Sequence, residues 1–269
     1  ITDEQGYRTA AAVYSTKGEE LFKFSSSELY IVSGGLSPDG RTVAVLGFEQ
    51  RDASLISHVR FYDVSSGKQI SDTELENALG IELCYLDNGS AAVLCDDGLY
   101  LVTRRGSSEH ALTVGTSDLI SVTTRDNAMV LAIRSYSGGA RSDLYTVRGG
   151  SVYGPEPLDE EPSALAVSDA GEAVLTSTGV TVYDAQFHAL WHNDEAIGAR
   201  RILLTDDGTF AHGILAPKHH VSKTYTVVID TPLTEEMKAG FAAGVTLADG
   251  TALSPAEVTA LSPDGLTVR

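Results

Sequence analysis

The sequence predicts an all-β protein assembled from repeated four-stranded antiparallel units, and three observations along its 269 residues carry that reading. A tight-turn motif rich in Asp and Gly recurs from one end of the chain to the other. A short, continuous apolar run follows each turn. One tyrosine per unit, preceded by an apolar or β-branched residue, keeps step with both.

The turns are Ser37-Pro38-Asp39-Gly40, Leu86-Asp87-Asn88-Gly89, Arg125-Asp126-Asn127, Ser168-Asp169-Ala170-Gly171, Thr205-Asp206-Asp207-Gly208 and Ser262-Pro263-Asp264-Gly265. Pro presets φ, Asp and Asn side chains cap the turn, and Gly takes the positive φ that tight hairpins need. Behind them come runs such as Thr42-Val43-Ala44-Val45-Leu46, Ala91-Ala92-Val93-Leu94 and Met129-Val130-Leu131-Ala132. They are continuous rather than alternating, which predicts strands covered on both faces. The tyrosines are Tyr14, Tyr62, Tyr100, Tyr145, Tyr183 and Tyr225, at spacings of 48, 38, 45, 38 and 42. Each unit therefore reads as strand A, the Asp-Gly turn, strand B, a loop, strand C with its tyrosine, and strand D. Roughly 40 to 45 residues per four strands is the period of a β-propeller blade. Six turns and six tyrosines predict a six-bladed β-propeller, with seven blades as the alternative.

In chain order the blades fall at 25–70, 71–114, 115–158 and 159–194. A fifth spans 195–250 with a helical insertion near 233–242 that starts at Thr234; if Leu247-Ala248-Asp249-Gly250 is a further turn, the count becomes seven. The first mark is a tyrosine and the last is a turn. Residues 7–24 thus read as a C–D hairpin and 251–269 as an A–B hairpin, joined into a composite closing blade that protects both sheet edges. On this reading 1–269 is a single domain, with both termini on the B–C loop face.

With 19 Lys+Arg against 37 Asp+Glu the net charge is −18. That balance speaks against nucleic acid and against an anionic membrane surface, both of which need basic patches. No apolar run approaches the roughly 18 residues of a membrane span. Ile1 in place of an initiator methionine predicts a processed or trimmed chain, with a tether before it as one arrangement. Cys84 and Cys95 flank the turn at Asp87-Asn88-Gly89, and a register placing Cys84 opposite Ala92 keeps the sulfurs too far apart for a disulfide.

The Ser-Pro-Asp-Gly turns resemble those of WD40-like and TolB-like propellers. The segments from Val13 to Leu21 and from Tyr183 to Trp191 are similar to PQQ-type quinoprotein repeats. The chain as a whole is similar to uncharacterised, surface-tethered propeller proteins of Gram-positive gut bacteria. The resemblance implies the fold and an extracellular or cell-surface place in a bacterium. The Gly-His and Trp-Asp marks of WD40 blades are absent and Trp191 is the single tryptophan, so quinone binding and WD40-type function are not implied.

Turn-to-tyrosine distances measure the B–C loops, and blades one, three and five project long ones: Glu49 to His58, Arg134 to Ser142 and Leu215 to Lys223. They carry Arg51, His58, Arg134, Arg141, Lys218, His219, His220 and Lys223 against Glu49 and Asp52, a cationic rim suited to a carboxylate, a phosphate or an acidic sugar. Long loops on a rigid scaffold are where binding concentrates. No metal site is expected: the adjacent His219 and His220 point to opposite faces of a strand, and His188 and His192 lie about 13 Å apart along one. No cofactor motif and no nucleophile, zinc or phosphate-loop motif is present. The expectation is a monomeric, non-catalytic, extracytoplasmic scaffold that binds a protein, peptide or glycan. The alternative is a glycosidase- or lyase-like enzyme at the channel mouth, acting on a sugar or acidic polymer.

Overall fold

The apolar runs behind the turns are strands in the computed structural model, which describes residues 9–125, 127–136, 141–194, 199–204, 224–247, 250 and 252–269. The chain divides into two compact units, residues 1–205 and 206–269, where the sequence predicts one domain.

Unit one opens with β1 (Thr9–Tyr14) and β2 (Glu20–Ser26), a two-stranded hairpin. Blade one follows as β3 (Tyr30–Leu36), β4 (Thr42–Arg51), β5 (Ser54–Asp63) and β6 (Gln69–Leu75). Blade two is β7 (Gly80–Tyr85), β8 (Ser90–Cys95), β9 (Gly98–Thr103) and β10 (Ser108–Thr113). Blade three is β11 (Leu119–Arg125), β12 (Ala128–Arg134), β13 (Ser142–Arg148) and β14 (Ser151–Leu158). Blade four is β15 (Ala164–Ser168), β16 (Gly171–Leu175), β17 (Val180–Asp184) and β18 (Ala189–Asn193). All four are antiparallel meanders in sequence order, the four-stranded blades of a β-propeller. β6 carries blade one five residues past its predicted end.

The continuous apolar runs are the B strands, and their two faces go to different neighbours. Val43 and Val45 of β4 pack with Phe22 of β2, while Ala44 and Leu46 pack with Leu83 and Tyr85 of β7. In β8, Ala91, Val93 and Cys95 face blade one, whereas Ala92 and Leu94 face Met129 and Leu131 of blade three. In β12, Ala128, Val130 and Ala132 turn to Leu165, Val167 and Val174 of blade four. Burying both faces of one strand at about 25 cal/mol per Å2 of apolar surface is what a face-to-face stack of sheets requires. Cys84 pairs with Ala92 as the turn predicts, but a bulge at Ile81 sets Cys95 opposite Gly80; both thiols are free and buried.

Unit two contains β19 (Val227–Val228), α1 (Glu235–Ala243) and β20 (Thr267–Val268). Thr234 caps α1, its hydroxyl accepting from the Met237 amide at 3.2 Å, so the predicted helix and its cap are present. Within this unit β20 pairs with β19 in a two-stranded antiparallel sheet. Thr259 and Arg269 exchange backbone hydrogen bonds at 2.9 and 2.8 Å, and Leu261 donates to Thr267 at 2.8 Å. The hairpin's backbone groups are thus satisfied locally. The predicted turn Thr205-Asp206-Asp207-Gly208 lies outside the described residues.

Candidate functional site

In an antiparallel meander the B–C and D–A connections gather at one end of the sheets and the A–B and C–D turns at the other. The B–C end holds the predicted site residues. The first predicted long loop is strand instead. β4 and β5 continue as a two-stranded finger through Glu49↔Ile56, Gln50↔Leu55 and Arg51↔Ser54, turning at Asp52 (φ 55°). β3 stops at Tyr30↔Phe48 and β6 at Ser57↔Leu75, so the finger projects beyond the rest of its sheet. Leu55 near its tip is exposed.

At the finger's base the sequence predicts a cationic rim, and the structure places carboxylates on each cation. The Arg51 guanidinium donates to Glu49 at 2.6 Å and to Glu74 of β6 at 2.9 Å. His58 is buried, with Nδ1 2.9 Å from Asp72 and Nε2 3.7 Å from Glu49; Nε2 makes no hydrogen bond. Arg60 donates to the other Asp72 oxygen at 2.8 Å. Burial works against the Asp72 charge, but the His58 and Arg60 contacts outweigh it and hold its carboxyl below the usual range. The Arg51 hydrogen bond similarly lowers Glu74.

Blade three repeats the pattern. Arg134 donates to Glu161 at 3.2 Å and to the Ser117 carbonyl at 3.3 Å. Arg141 lies beside Asp159, Glu160 and Glu161 around a hollow of about 520 Å3. Lys218, His219, His220 and Lys223 lie outside the described residues. Arg51 and His58 are therefore neighbours on blade one, Arg134 and Arg141 belong to blade three, and all four sit in mixed charge. Counting charges within the B–C loops misses Asp72, Glu74, Glu160 and Glu161, which arrive from D strands and D–A loops at the same end.

The opposite end holds a cleft between blades one and two of about 730 Å3. Arg104 and Arg105 border it from the C–D turn of blade two. The Thr103 and Ser107 hydroxyls meet at 2.7 Å across that turn, and Gly106 closes it at φ 93°. The sequence signal for this place is Thr103-Arg104-Arg105-Gly106-Ser107, the one C–D turn among the first four blades with two adjacent cations.

Farther round the same end, Arg148 of β13 reaches blade four. It donates to Glu172 at 2.8 Å and to the Ser168 carbonyl at 2.6 Å. Glu172 has no solvent exposure, and burial raises its pKa, with Arg148 opposing. His188 engages Asp184 at 3.0 Å and His192 engages Thr181 at 2.9 Å, two separate contacts. Among the described residues no group of three or more His, Cys, Asp or Glu is placed to hold a metal ion. No helix among them is long and apolar enough to cross a membrane.

Comparison with known proteins finds likeness of two kinds. Ribosomal small subunit pseudouridine synthase A of Salmonella typhimurium is 40% identical over 105 residues, 39% of this chain and 36% of that protein. The chain thus spans about a third of the length of the curated relatives it matches. Among solved structures, a protein of unknown function from Bacteroides caccae is 12% identical, with 71% of this chain and 76% of that one covered and a TM-score of 0.39. The WD40 domain of Neurospora crassa Pan2 is 12% identical, with 65% and 56% covered and a TM-score of 0.41. The family of unknown function DUF5711 matches residues 1–186, from the hairpin through β17, and the chain belongs to that family.

Proposed function

We propose that the propeller is a non-catalytic, extracytoplasmic scaffold that binds a protein, peptide or glycan at its B–C end. The observation that carries this reading is the β4–β5 finger. Its outer pair is tied back by Arg51 to Glu49 and Glu74, its base is held by the His58–Asp72–Arg60 contacts, and it presents Leu55 to solvent. An exposed apolar side chain on a hydrogen-bonded projection keeps its shape on binding, which limits the ordering entropy lost. Arg51, Arg134 and Arg141, each with a carboxylate beside it, suit a partner that offers both charge signs. The test is a glycan and peptide array probed with wild type, L55D and R51A. A ligand retained by wild type and lost by L55D, with unchanged circular dichroism, supports the reading. Equal binding by both variants removes the finger from it. Release of reducing ends from a bound polymer moves the assignment to the channel-mouth glycosidase or lyase alternative.

A second reading rests on the 105-residue likeness to a ribosomal pseudouridine synthase: part of the chain contacts ribosomal RNA. The net charge of −18 averages over the whole sequence, whereas residues 200–223 carry four Lys or Arg against two Asp. Phosphate contacts give binding that falls steeply with salt. Titration of a small-subunit ribosomal RNA fragment at low and high salt tests it, and no binding at low salt removes it.

A further inference from the structure

The cleft between blades one and two lies at the opposite end of the sheets from the finger, and its residues enter neither reading above. We infer that it binds an acidic sugar, with the sugar carboxylate on Arg104 and Arg105 and sugar hydroxyls on Asp87.

The volume, about 730 Å3, falls within the range of small-ligand sites. Arg41, Arg51, Arg60, Arg134 and Arg148 each pair with a carboxylate. Arg104 and Arg105 are exposed and make no ion pair among the described residues. They occupy the two central positions of a turn fixed by the Gly106 amide donating to the Thr103 carbonyl at 2.9 Å and the Thr103 amide donating to the Ser107 carbonyl at 2.8 Å. Two adjacent guanidiniums on a stiff turn offer fork-shaped donors to a planar oxyanion.

The rest of the lining selects among oxyanions. Asp39 and Asp87 stand on the A–B turns of blades one and two. Asp39 is committed to its own turn: the Ser37 hydroxyl and the Arg41 amide donate to it and hold its pKa below the usual range. Asp87 is exposed and, among the described residues, accepts no hydrogen bond, which leaves it free for a ligand's hydroxyls. A phosphate dianion would be attracted by the arginines and repelled by the two aspartates, and a simple cation would meet the reverse. A monocarboxylate that also carries hydroxyl donors satisfies both walls. Tyr85 supplies a buried aromatic wall, its ring edge-on to Phe61 at 5.8 Å.

Calorimetric titration of the whole chain with glucuronate, oligoglucuronate, glucose, acetate and inorganic phosphate tests the assignment. Glucuronate is expected to bind at least about tenfold more tightly than glucose, acetate or phosphate, a difference of one decade in Kd. The double variant R104A/R105A is expected to lose at least that factor, and D87N to reduce the preference for glucuronate over acetate. Oligoglucuronate binding more tightly than the monomer assigns a polymer end as the ligand, and equal binding assigns the free sugar acid. R104A/R105A leaves the array binding that L55D abolishes unchanged, so the two sites stand or fall separately. No glucuronate binding, acetate or phosphate binding as tight as glucuronate, or wild-type affinity in R104A/R105A overturns the inference.

Discussion

Replacing Arg148 with alanine isolates a buried ion pair that joins blades three and four. In the wild type, Nε and Nη2 of Arg148 donate to Glu172 Oε1 at 3.1 and 2.8 Å, and Nη2 also reaches the Ser168 and Gly171 carbonyls at 2.6 and 3.3 Å. Without the guanidinium, Glu172 must fold either as a bare buried carboxylate, costing about 3–5 kcal/mol, or as the neutral acid. Protonating a carboxyl of ordinary pKa 4.5 costs about 3.4 kcal/mol at pH 7 and about 0.7 kcal/mol at pH 5, at 1.36 kcal/mol per unit. The orphaned carbonyls add about 1 kcal/mol. R148A is therefore expected to lose about 4 kcal/mol at pH 7 and about 2 kcal/mol at pH 5. The sign follows from linkage: a folded-state pKa raised above the unfolded value favours folding at low pH, and that support fades as pH rises through the shifted value. Urea titration followed by Trp191 fluorescence reads blade four directly, since Trp191 of β18 pairs with Val182 of β17. With a slope of about 2–3 kcal/mol per M, the midpoint falls by about 1–2 M at pH 7. In an E172Q background the same substitution is expected to lose only about 1 kcal/mol, the carbonyl contribution. A loss that is the same at both pH values, or undiminished by E172Q, refutes the reasoning.

Other consequences are equally direct. Gly35 in β3 lies where an added Cβ would sit 2.8 Å from the Tyr85 amide nitrogen and 2.9 Å from the Tyr85 Cβ. G35A is expected to force blades one and two apart and lower stability by about 1–3 kcal/mol; a melting temperature equal to wild type contradicts this. Asp63 accepts from the Ser65 hydroxyl at 2.7 Å and the Ser66 amide at 2.8 Å, contacts that bring its pKa down from 3.8 to about 2. Its support for folding is therefore complete above pH 3.8 and disappears as pH falls through 2, and carbon-detected NMR titration of S65A/S66A should move the midpoint back toward 3.8. Burial pushes both the Cys84 and Cys95 thiols up to about 12, so native protein should resist a thiol reagent that reacts at once in urea.

The architecture was legible in the sequence wherever a local signal and its tertiary use coincide. Asp39 and Asn88 cap their turns as the residue types imply, with Asp39 accepting from Arg41 and Asn88 from Ser90. Tyr62, Tyr100, Tyr145 and Tyr183 all lie on third strands. The Ser262–Gly265 turn shows where such inference ends. Its hydrogen bonds repeat those of Ser37–Gly40: Leu266 donates to Asp264 at 3.0 Å and Thr267 to Ser262 Oγ at 2.9 Å. Yet the first turn feeds a ten-residue core strand and the second a two-residue strand of another unit. Turn chemistry is settled within six residues, whereas the partner of the strand that follows depends on packing far along the chain. The carboxylates beside the cationic rim were hidden for the same reason, because Glu74 lies 23 residues from Arg51 and Glu161 lies 27 from Arg134.

The four apolar clusters form a relay. The second strands of blades one, two and three each share one face with the element before and the other with the blade after, so the clusters tie neighbour to neighbour in series. Coupling of this kind is a nearest-neighbour chain, and stability becomes a sum of blade terms and junction terms. Damage at Met129 weakens the junction of blades two and three and leaves that between the β1–β2 hairpin and blade one intact. Evolution could then vary a loop or a surface on one blade while the others hold their shape.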